Sequence, residues 1–177
     1  MASKAMKLSW VMAFLLAIPA YAGKSTDEAA ENLVRAMKVE ELVAQLVERD
    51  VRWKCQIGKC EIDLKVCLTT MDRAFIEYWL VGIAKRELTT AEMEAATLYF
   101  RSDTGMRHIE VIRANLGIGK ASLNDEKPEI RAAMLAFLDT PAGYRLVTRA
   151  VLTNTDAVNT IIRWQSREVL VKCRPTE

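Results

Sequence analysis

Apolar residues in this 177-residue chain recur mostly at intervals of three and four positions, which is the spacing of one face of an α-helix. Polar residues occupy the positions between them, so most segments are amphipathic. Six of these segments follow a capping residue or a proline typical of a first helical turn, at Ser25, Thr89, Ser102, Pro128, Thr140 and Thr155. The pattern predicts an all-α fold, a compact bundle of about six to eight helices.

The same spacing predicts which side of each helix is buried. In the helix after Thr89, the predicted inner face consists of Ala91, Ala95, Leu98 and Tyr99. In the helix after Ser102, it consists of Met106, Ile109, Ile112 and Leu116. The most apolar segment predicts a central helix that ends near Arg86 and carries Met71, Phe75, Tyr78, Trp79 and Gly82.

Two segments depart from the helical period. Between residues 52 and 66, apolar and polar positions alternate around Gly58 and Lys59, which predicts either a hairpin or an irregular loop. The last residues, 169–173, form an apolar run for which we expect an extended tail.

The N-terminus has the pattern of a secretory signal peptide. Lys4 and Lys7 precede an apolar run of eleven residues, and Ala20-Tyr21-Ala22 follows as a small-x-small cleavage site. The run is short for a bilayer span, although an uncleaved anchor is the alternative. We expect a signal peptide over residues 1–22, a single helical domain over residues 23–177, and a periplasmic or secreted protein with no membrane span after processing.

Removal of this segment changes the charge balance. It takes the basic count from 25 to 23, which equals the acidic count of 23. A neutral chain without blocks of like charge lacks the electrostatic pattern of nucleic-acid-binding proteins.

Four cysteines lie in the predicted mature chain, at Cys55, Cys60, Cys67 and Cys173. An even number in an oxidising compartment predicts two disulfides, for which three pairings exist. We favour Cys55 with Cys60 and Cys67 with Cys173. The spacing does not match zinc-ligand pairs, and no Cys-x-x-Cys motif is present, so neither a metal site nor a thioredoxin-like redox function is predicted.

Two segments 38 residues apart share an aromatic residue, a hydroxyl residue three positions later, then a glycine and an arginine. They run from Tyr99 to Arg107 and from Phe137 to Arg145. We interpret them as two similar helical hairpins, in which the hydroxyl residue caps the second helix and the glycine allows close approach of another backbone. Charged and capping groups at these junctions also form a candidate anion site, which consists of Arg101, Ser102, Asp103, Gly105, Arg107, Thr140, Gly143 and Arg145.

The first junction also carries a family resemblance. Residues 88–93 and the following Tyr-Phe-Arg-Ser-Asp-Thr-Gly at 99–105 resemble the C-terminal signature of the bacterial exported family called domain of unknown function 2059. In that signature a Thr- and Glu-rich helix start leads to Phe-Tyr-x-Ser-Pro-x-Gly, and Asp103 occupies the proline position here. The resemblance implies an exported, mainly helical domain and assigns no chemistry to it.

No catalytic or cofactor motif is present. The single histidine, His108, is expected on a polar helix face, and no nucleophile or acid is assigned to it by a known motif. Gly117-Ile118-Gly119-Lys120 lacks the first glycine of a phosphate-binding loop and is interpreted as a helix stop.

Two classes of function therefore remain. The first is a non-enzymatic protein-binding module of the cell envelope, with a narrower form in which the chain is an immunity protein or inhibitor of a toxin. Its partner would be an envelope or secreted protein. The alternative is an envelope-acting enzyme that uses His108 with a nearby carboxylate, Glu110 or Asp103.

Overall fold

The computed structural model describes residues 26–58 and 63–173, and every regular element in these ranges is helical, which confirms the all-α prediction for them. The predicted signal peptide and Ser25 lie outside the described residues. The helices are α1 (Thr26–Ala36), α2 (Val39–Gly58), α3 (Leu64–Leu68), α4 (Arg73–Glu87), α5 (Thr90–Arg101), α6 (Asp103–Asn115), α7 (Pro128–Leu138), α8 (Pro141–Gly143) and α9 (Asp156–Lys172). A 3₁₀ turn at Leu123–Asp125 precedes α7, and α8 continues into a π-helical turn at Tyr144–Thr148.

The predicted start signals that lie in the described residues operate as caps. Thr89 and Glu92 form a reciprocal capping box at α5, and Thr155 accepts a hydrogen bond from the first turn of α9. Pro128 occupies the first turn of α7, where its missing N–H is not needed. Local sequence therefore sets where these helices begin.

The prediction for residues 52–66 is wrong where the structure describes them. Helix α2 continues to Gly58, and α3 adds a ninth helix beyond the expected six to eight. Val47, Val51 and Cys55 are buried at intervals of four, whereas Trp53 and Ile57 are exposed. The alternation in the sequence thus reflects surface aromatic and aliphatic residues on a helix rather than a strand.

The prediction of an extended segment at residues 169–173 is also wrong, because α9 runs to Lys172 and Cys173 is its C-cap. Val158, Ile161, Gln165 and Val169 are buried at helical intervals, and Val171 faces outward. The apolar residues 169–171 therefore form the last turn of this helix, with Val169 on its buried face.

The buried face of α5 is opposite to the one predicted. Met93, Ala96, Thr97 and Phe100 are buried, whereas Leu98 is 74% exposed. The larger Phe100 and Met93 fill the core, and α5 is rotated accordingly.

Helix packing gives the bundle one shared core. Helix α1 packs against α4 and α5, and α2 packs along α9 and against α4. The largest fully buried apolar side chains of this core are Leu33, Ile76, Leu80, Met93, Phe100, Leu146 and Leu152.

A disulfide joins Cys67 in α3 to Cys173 at the end of α9, with 5.4 Å between the Cα atoms. This pairing is the one favoured from the sequence. The second predicted bridge, Cys55 with Cys60, includes a residue outside the described ranges, so one disulfide is described rather than two.

The two predicted junctions have the same geometry. Ser102 Oγ donates to the Tyr99 carbonyl at 2.6 Å and accepts from the Gly105 N–H at 3.1 Å. Thr140 Oγ1 makes the equivalent hydrogen bonds to the Phe137 carbonyl at 2.7 Å and from the Gly143 N–H at 3.0 Å.

The glycines of both junctions allow a close backbone approach. A Cβ atom on Gly105 would lie 2.0 Å from the Tyr99 carbonyl oxygen, and one on Gly143 would lie 1.9 Å from the Phe137 carbonyl oxygen. Both distances are far below van der Waals contact, so the prediction of a close approach is confirmed in both copies.

The two hairpins pack reciprocally. The first helix of one, α5, packs against the second helix of the other, α8, while α6 packs against α7. At the centre, Tyr99 stacks on Phe137, its counterpart in the repeat, with 3.7 Å between ring centroids and 5° between ring planes. This exchange of partners is the pattern of a local pseudo-twofold arrangement.

We predict that Gly105→Ala and Gly143→Ala each lower the free energy of unfolding by about 3 kcal/mol or more, because the added methyl group collides with backbone rather than with a movable side chain. The matched control is Gly82→Ala in α4, where an added Cβ meets nothing within 4 Å. That change should raise stability by about 0.5–1 kcal/mol through helix propensity. Urea unfolding measures all three, and equal stability of the wild type and Gly105→Ala would contradict the prediction.

Candidate functional site

The arginines of the predicted anion site make contacts within the fold. Arg101 donates to the Asn32 side-chain oxygen of α1 at 3.2 Å. Arg145 donates to the Glu87 carbonyl and lies 3.5 Å from a Glu92 carboxylate oxygen. Both arginines therefore connect the hairpins to neighbouring helices.

The carboxylate of Glu92 is held ionised by this network. The hydrogen bond from the Thr89 backbone N–H is the main cause that lowers the pKa of Glu92 below its ordinary value, and the Thr89 hydroxyl and Arg145 add to it. Arg145 thus stabilises the start of α5 as well as its own turn.

The remaining members of the predicted set have different environments. Ser102, Thr140, Gly105 and Gly143 form the junctions, and Asp103 and Arg107 are exposed. Anion binding by this set stays a prediction, and the described contacts account for six of its eight residues structurally.

His108 is buried, with 3% of its surface exposed, which corrects the expectation of a polar helix face. Helix α6 buries Gly105, His108, Ile109 and Ile112, whereas Met106, expected inside, is exposed. Gly105 must face the end of α5, where the backbones of the two helices are in close contact, and His108 lies one turn further along the same side of α6. The junction therefore sets the rotation of α6.

The imidazole has one described hydrogen-bond partner. Its Nδ1 lies 2.8 Å from the Tyr99 hydroxyl oxygen, and aromatic rings of Phe100 and Phe137 surround the pair. Burial lowers the pKa of His108 to about 4 and raises the pKa of Tyr99 above its ordinary value. Both groups are uncharged at neutral pH.

The second hairpin has no equivalent polar pair. Phe137 stands in the place of Tyr99, and Leu146, fully buried, stands in the place of His108. Because the same junction geometry forms there with apolar residues, the junction does not require the tyrosine–histidine hydrogen bond.

His108 also lines a cleft of about 550 Å³, which is within the range of small-molecule sites. Its walls come from α6, α7, the connection between them and the π-helical turn. The described lining residues are His108, Val111, Ala114, Asn115, Gly119, Lys120, Ala121, Ser122, Leu123, Asn124, Met134, Leu138 and Val147. None of them carries a carboxylate, so the acid–base partner that the enzyme hypothesis needs is not placed beside the imidazole in this cleft.

The loop on one side of the cleft begins as the sequence predicts. Gly117 adopts a φ of 76°, and Ile118 N–H donates to the Arg113 carbonyl at 2.9 Å, which closes α6 with a left-handed cap. The Gly-Ile-Gly-Lys segment is thus a helix stop, and its Lys120 reaches the cleft.

A second feature was missed by sequence reasoning, which placed the aromatic residues of α4 in the core. Tyr78 is 75% exposed and Trp79 is 48% exposed. Phe75 stacks on Trp164 of α9 with 4.3 Å between ring centroids, and Trp164 is itself 44% exposed. We call Phe75, Tyr78, Trp79 and Trp164 the aromatic surface.

Gly82 extends this surface along α4. It is exposed, lies four positions after Tyr78, and a Cβ atom added to it would meet no other atom within 4 Å. A glycine inside a helix costs about 1 kcal/mol relative to alanine. No close approach within the described chain explains its presence.

Comparison with known proteins adds no further constraint: neither the known protein families, nor the curated proteins, nor the solved structures gave a match to this chain. Within residues 26–58 and 63–173, no helix has both the length and the apolar character needed to cross a membrane. In the same ranges, no three His, Cys, Asp or Glu side chains are grouped as metal ligands.

We predict that the His108 imidazole titrates with a midpoint near 4 in the folded protein, compared with 6.5 for a solvated histidine. The unfolded chain then binds a proton on this side chain that the folded chain excludes, so stability falls as the pH is lowered from about 6.5 to 4. The loss amounts to about 3 kcal/mol.

The control for this prediction is His108→Leu, which copies the residue of the second hairpin. The difference between the wild-type and variant stability curves isolates the histidine from the carboxylates. An NMR titration midpoint near 6.5 would contradict the prediction.

Proposed function

We propose that this chain is a non-enzymatic protein-binding module that acts outside the cytosol and contacts its partner through the aromatic surface. The single observation that carries the proposal is the exposure of three large aromatic side chains, Tyr78, Trp79 and Trp164, beside a helical glycine that no internal contact explains. Tyrosine and tryptophan supply most of the binding energy in many protein interfaces.

The charges near the aromatic surface indicate the partner's chemistry. The nearby carboxylates of α4 are already engaged, because Asp72 caps the helix and Glu77 pairs with Arg35 at 3.1 Å. On α9, exposed Arg163 and Arg167 flank Trp164, and they outnumber the half-buried Glu168 one turn further along. The surface therefore suits a protein that presents acidic side chains around an apolar contact.

An extracytoplasmic location is supported by two features. The N-terminal 22 residues have the pattern of a signal peptide, and the Cys67–Cys173 disulfide is typical of oxidising compartments. The resemblance of residues 88–105 to the exported domain of unknown function 2059 family is consistent with this location. A bacterial periplasm is the compartment that we propose.

The narrower hypothesis is that the partner is a toxin that the chain neutralises. A rigid, disulfide-linked helical surface lowers the entropic cost of tight association, as inhibition requires. A secreted toxin encoded beside this chain, which binds the mature protein in a manner dependent on Trp79, would support that form of the proposal.

Photo-crosslinking in cells that export the full chain tests the interface. A photoreactive amino acid in place of Tyr78 should give one defined adduct, because the partner covers this position. The same amino acid in place of Leu98, which is equally exposed on α5, is the matched control and should give none. Identical adducts from both positions, or none from either, would overturn the proposal.

Two substitutions then separate binding from folding in the identified complex. Trp79→Ala should weaken affinity by about 30-fold, the factor expected for a hot-spot aromatic residue. Gly82→Gln should leave the fold at least as stable as the wild type, because nothing surrounds that position, and should still reduce binding by steric exclusion of the partner. Unchanged affinity in both variants would place the interface elsewhere.

A further inference from the structure

We propose that the cleft beside His108 binds a small organic acid in which an apolar group is joined to a carbonyl group. Three parts of the cleft point to this ligand: the buried imidazole of His108, the apolar walls, and the exposed cationic side chain of Lys120. This ligand site is separate from the aromatic surface and does not depend on the protein-binding proposal.

The cleft is lined by His108, which belongs to a polar pair with Tyr99 that the fold does not need. Tyr99 and His108 occupy positions that Phe137 and Leu146 fill in the second hairpin, which has the same junction geometry although Leu146 lies in a π-helical turn. Burying these two polar groups costs hydration even though they are hydrogen-bonded to each other, and the second imidazole nitrogen has no partner within the described residues, so an apolar pair would serve the structure better. Their presence next to a cleft is explained by recognition of a ligand.

The hydrogen bond between Tyr99 and His108 determines which imidazole nitrogen carries the proton and can contact a ligand. When the Tyr99 hydroxyl donates to Nδ1, the phenol proton is satisfied and the neutral imidazole carries its proton on Nε2. No hydrogen bond to Nε2 is made within the described residues. In this tautomer the imidazole offers an N–H donor at Nε2, and its natural partner is a neutral carbonyl oxygen, since a carboxylate would lose too much hydration in this buried position.

The walls of the cleft suit an apolar group. Val111 and Met134 are buried, and Leu138 and Val147 are half-buried, so a ligand side chain of a few carbons would contact hydrocarbon on several sides. A volume of about 550 Å³ leaves room for such a group together with a carbonyl.

The mouth of the cleft adds the preference for an acid. Lys120 is the only charged side chain among the described lining residues. The other polar side chains of the outer lining are neutral, namely Asn115, Ser122 and Asn124. Lys120 is exposed, so its contribution is that of a solvent-screened ion pair. A carboxylate at the outer end of the ligand fits this arrangement.

The test uses N-acetyl-L-leucine and N-acetyl-L-leucinamide as probes, and NMR of the imidazole as the readout. His108 is the single histidine of the chain, so one pair of ring-nitrogen signals reports the site without assignment of the rest. Both probes should shift these signals. The acid should bind about two- to five-fold more tightly than the amide, the range expected for an exposed ion pair.

Four variants with retained far-UV circular dichroism locate the binding. Lys120→Gln should remove the difference between acid and amide, whereas Lys127→Gln, an exposed lysine outside the cleft lining, should keep it. Ala121→Trp should fill the cleft and abolish binding of both probes. Ala133→Trp, on the exposed face of α7, should not.

Unshifted His108 signals at saturating probe, or equal binding in Ala121→Trp and the wild type, would overturn the proposal. Equal affinity for acid and amide in the wild type would overturn the assignment of an acid. Trp79→Ala should bind both probes as the wild type does. The ligand proposal for the cleft and the protein-binding proposal for the aromatic surface can therefore fail independently of each other.

Discussion

The structure depends most on the close backbone contact at the two helix junctions. Each junction brings the carbonyl that ends one helix against the first turn of the next, at a distance that only glycine permits. The hydroxyl of Ser102 or Thr140 bridges that carbonyl and the glycine N–H, so the corner is held by hydrogen bonds as well as by contact. Because both corners have the same form, Tyr99 and Phe137 meet face to face, and the four helices of the hairpins exchange partners around that stack.

The junction geometry also accounts for where the candidate chemistry lies. With Gly105 against the preceding helix end, α6 turns His108 inward and Met106 outward. The imidazole then reaches the Tyr99 hydroxyl and the cleft, while Arg101 and Arg145 tie the same corners to α1 and to the start of α5. Six of the eight residues of the predicted anion site therefore have structural contacts, and the buried imidazole lies one turn away from the first junction.

The remainder of the molecule is organised around long-range constraints. The Cys67–Cys173 bridge joins residues 106 positions apart and fastens α3 to α9, and in a chain-entropy description a crosslink of this span stabilises the fold by about 4–5 kcal/mol. On α4, by contrast, the exposed Tyr78 and Gly82 serve no evident internal purpose, whereas Phe75 stacks on Trp164 of α9. The aromatic surface and the His108 cleft share this property: each contains groups that the fold itself does not use.

The sequence by itself determined the helical class, the caps of α5 and α9, the helix stop at Gly117 and the two glycine junctions, because each of these depends on hydrogen bonds and sterics within a few residues. Only the tertiary structure decided which faces are buried. Amphipathic spacing identifies an apolar stripe but not the exact rotation of the helix about its axis. The buried face of α5 and the outward Trp79 followed from packing against distant helices, and the inward His108 followed from the junction contact of Gly105. Packing against other helices also explains why α2 and α9 extend further than predicted. Neighbouring helices bury one helical face of these segments, although their apolar residues alternate or are continuous in the sequence.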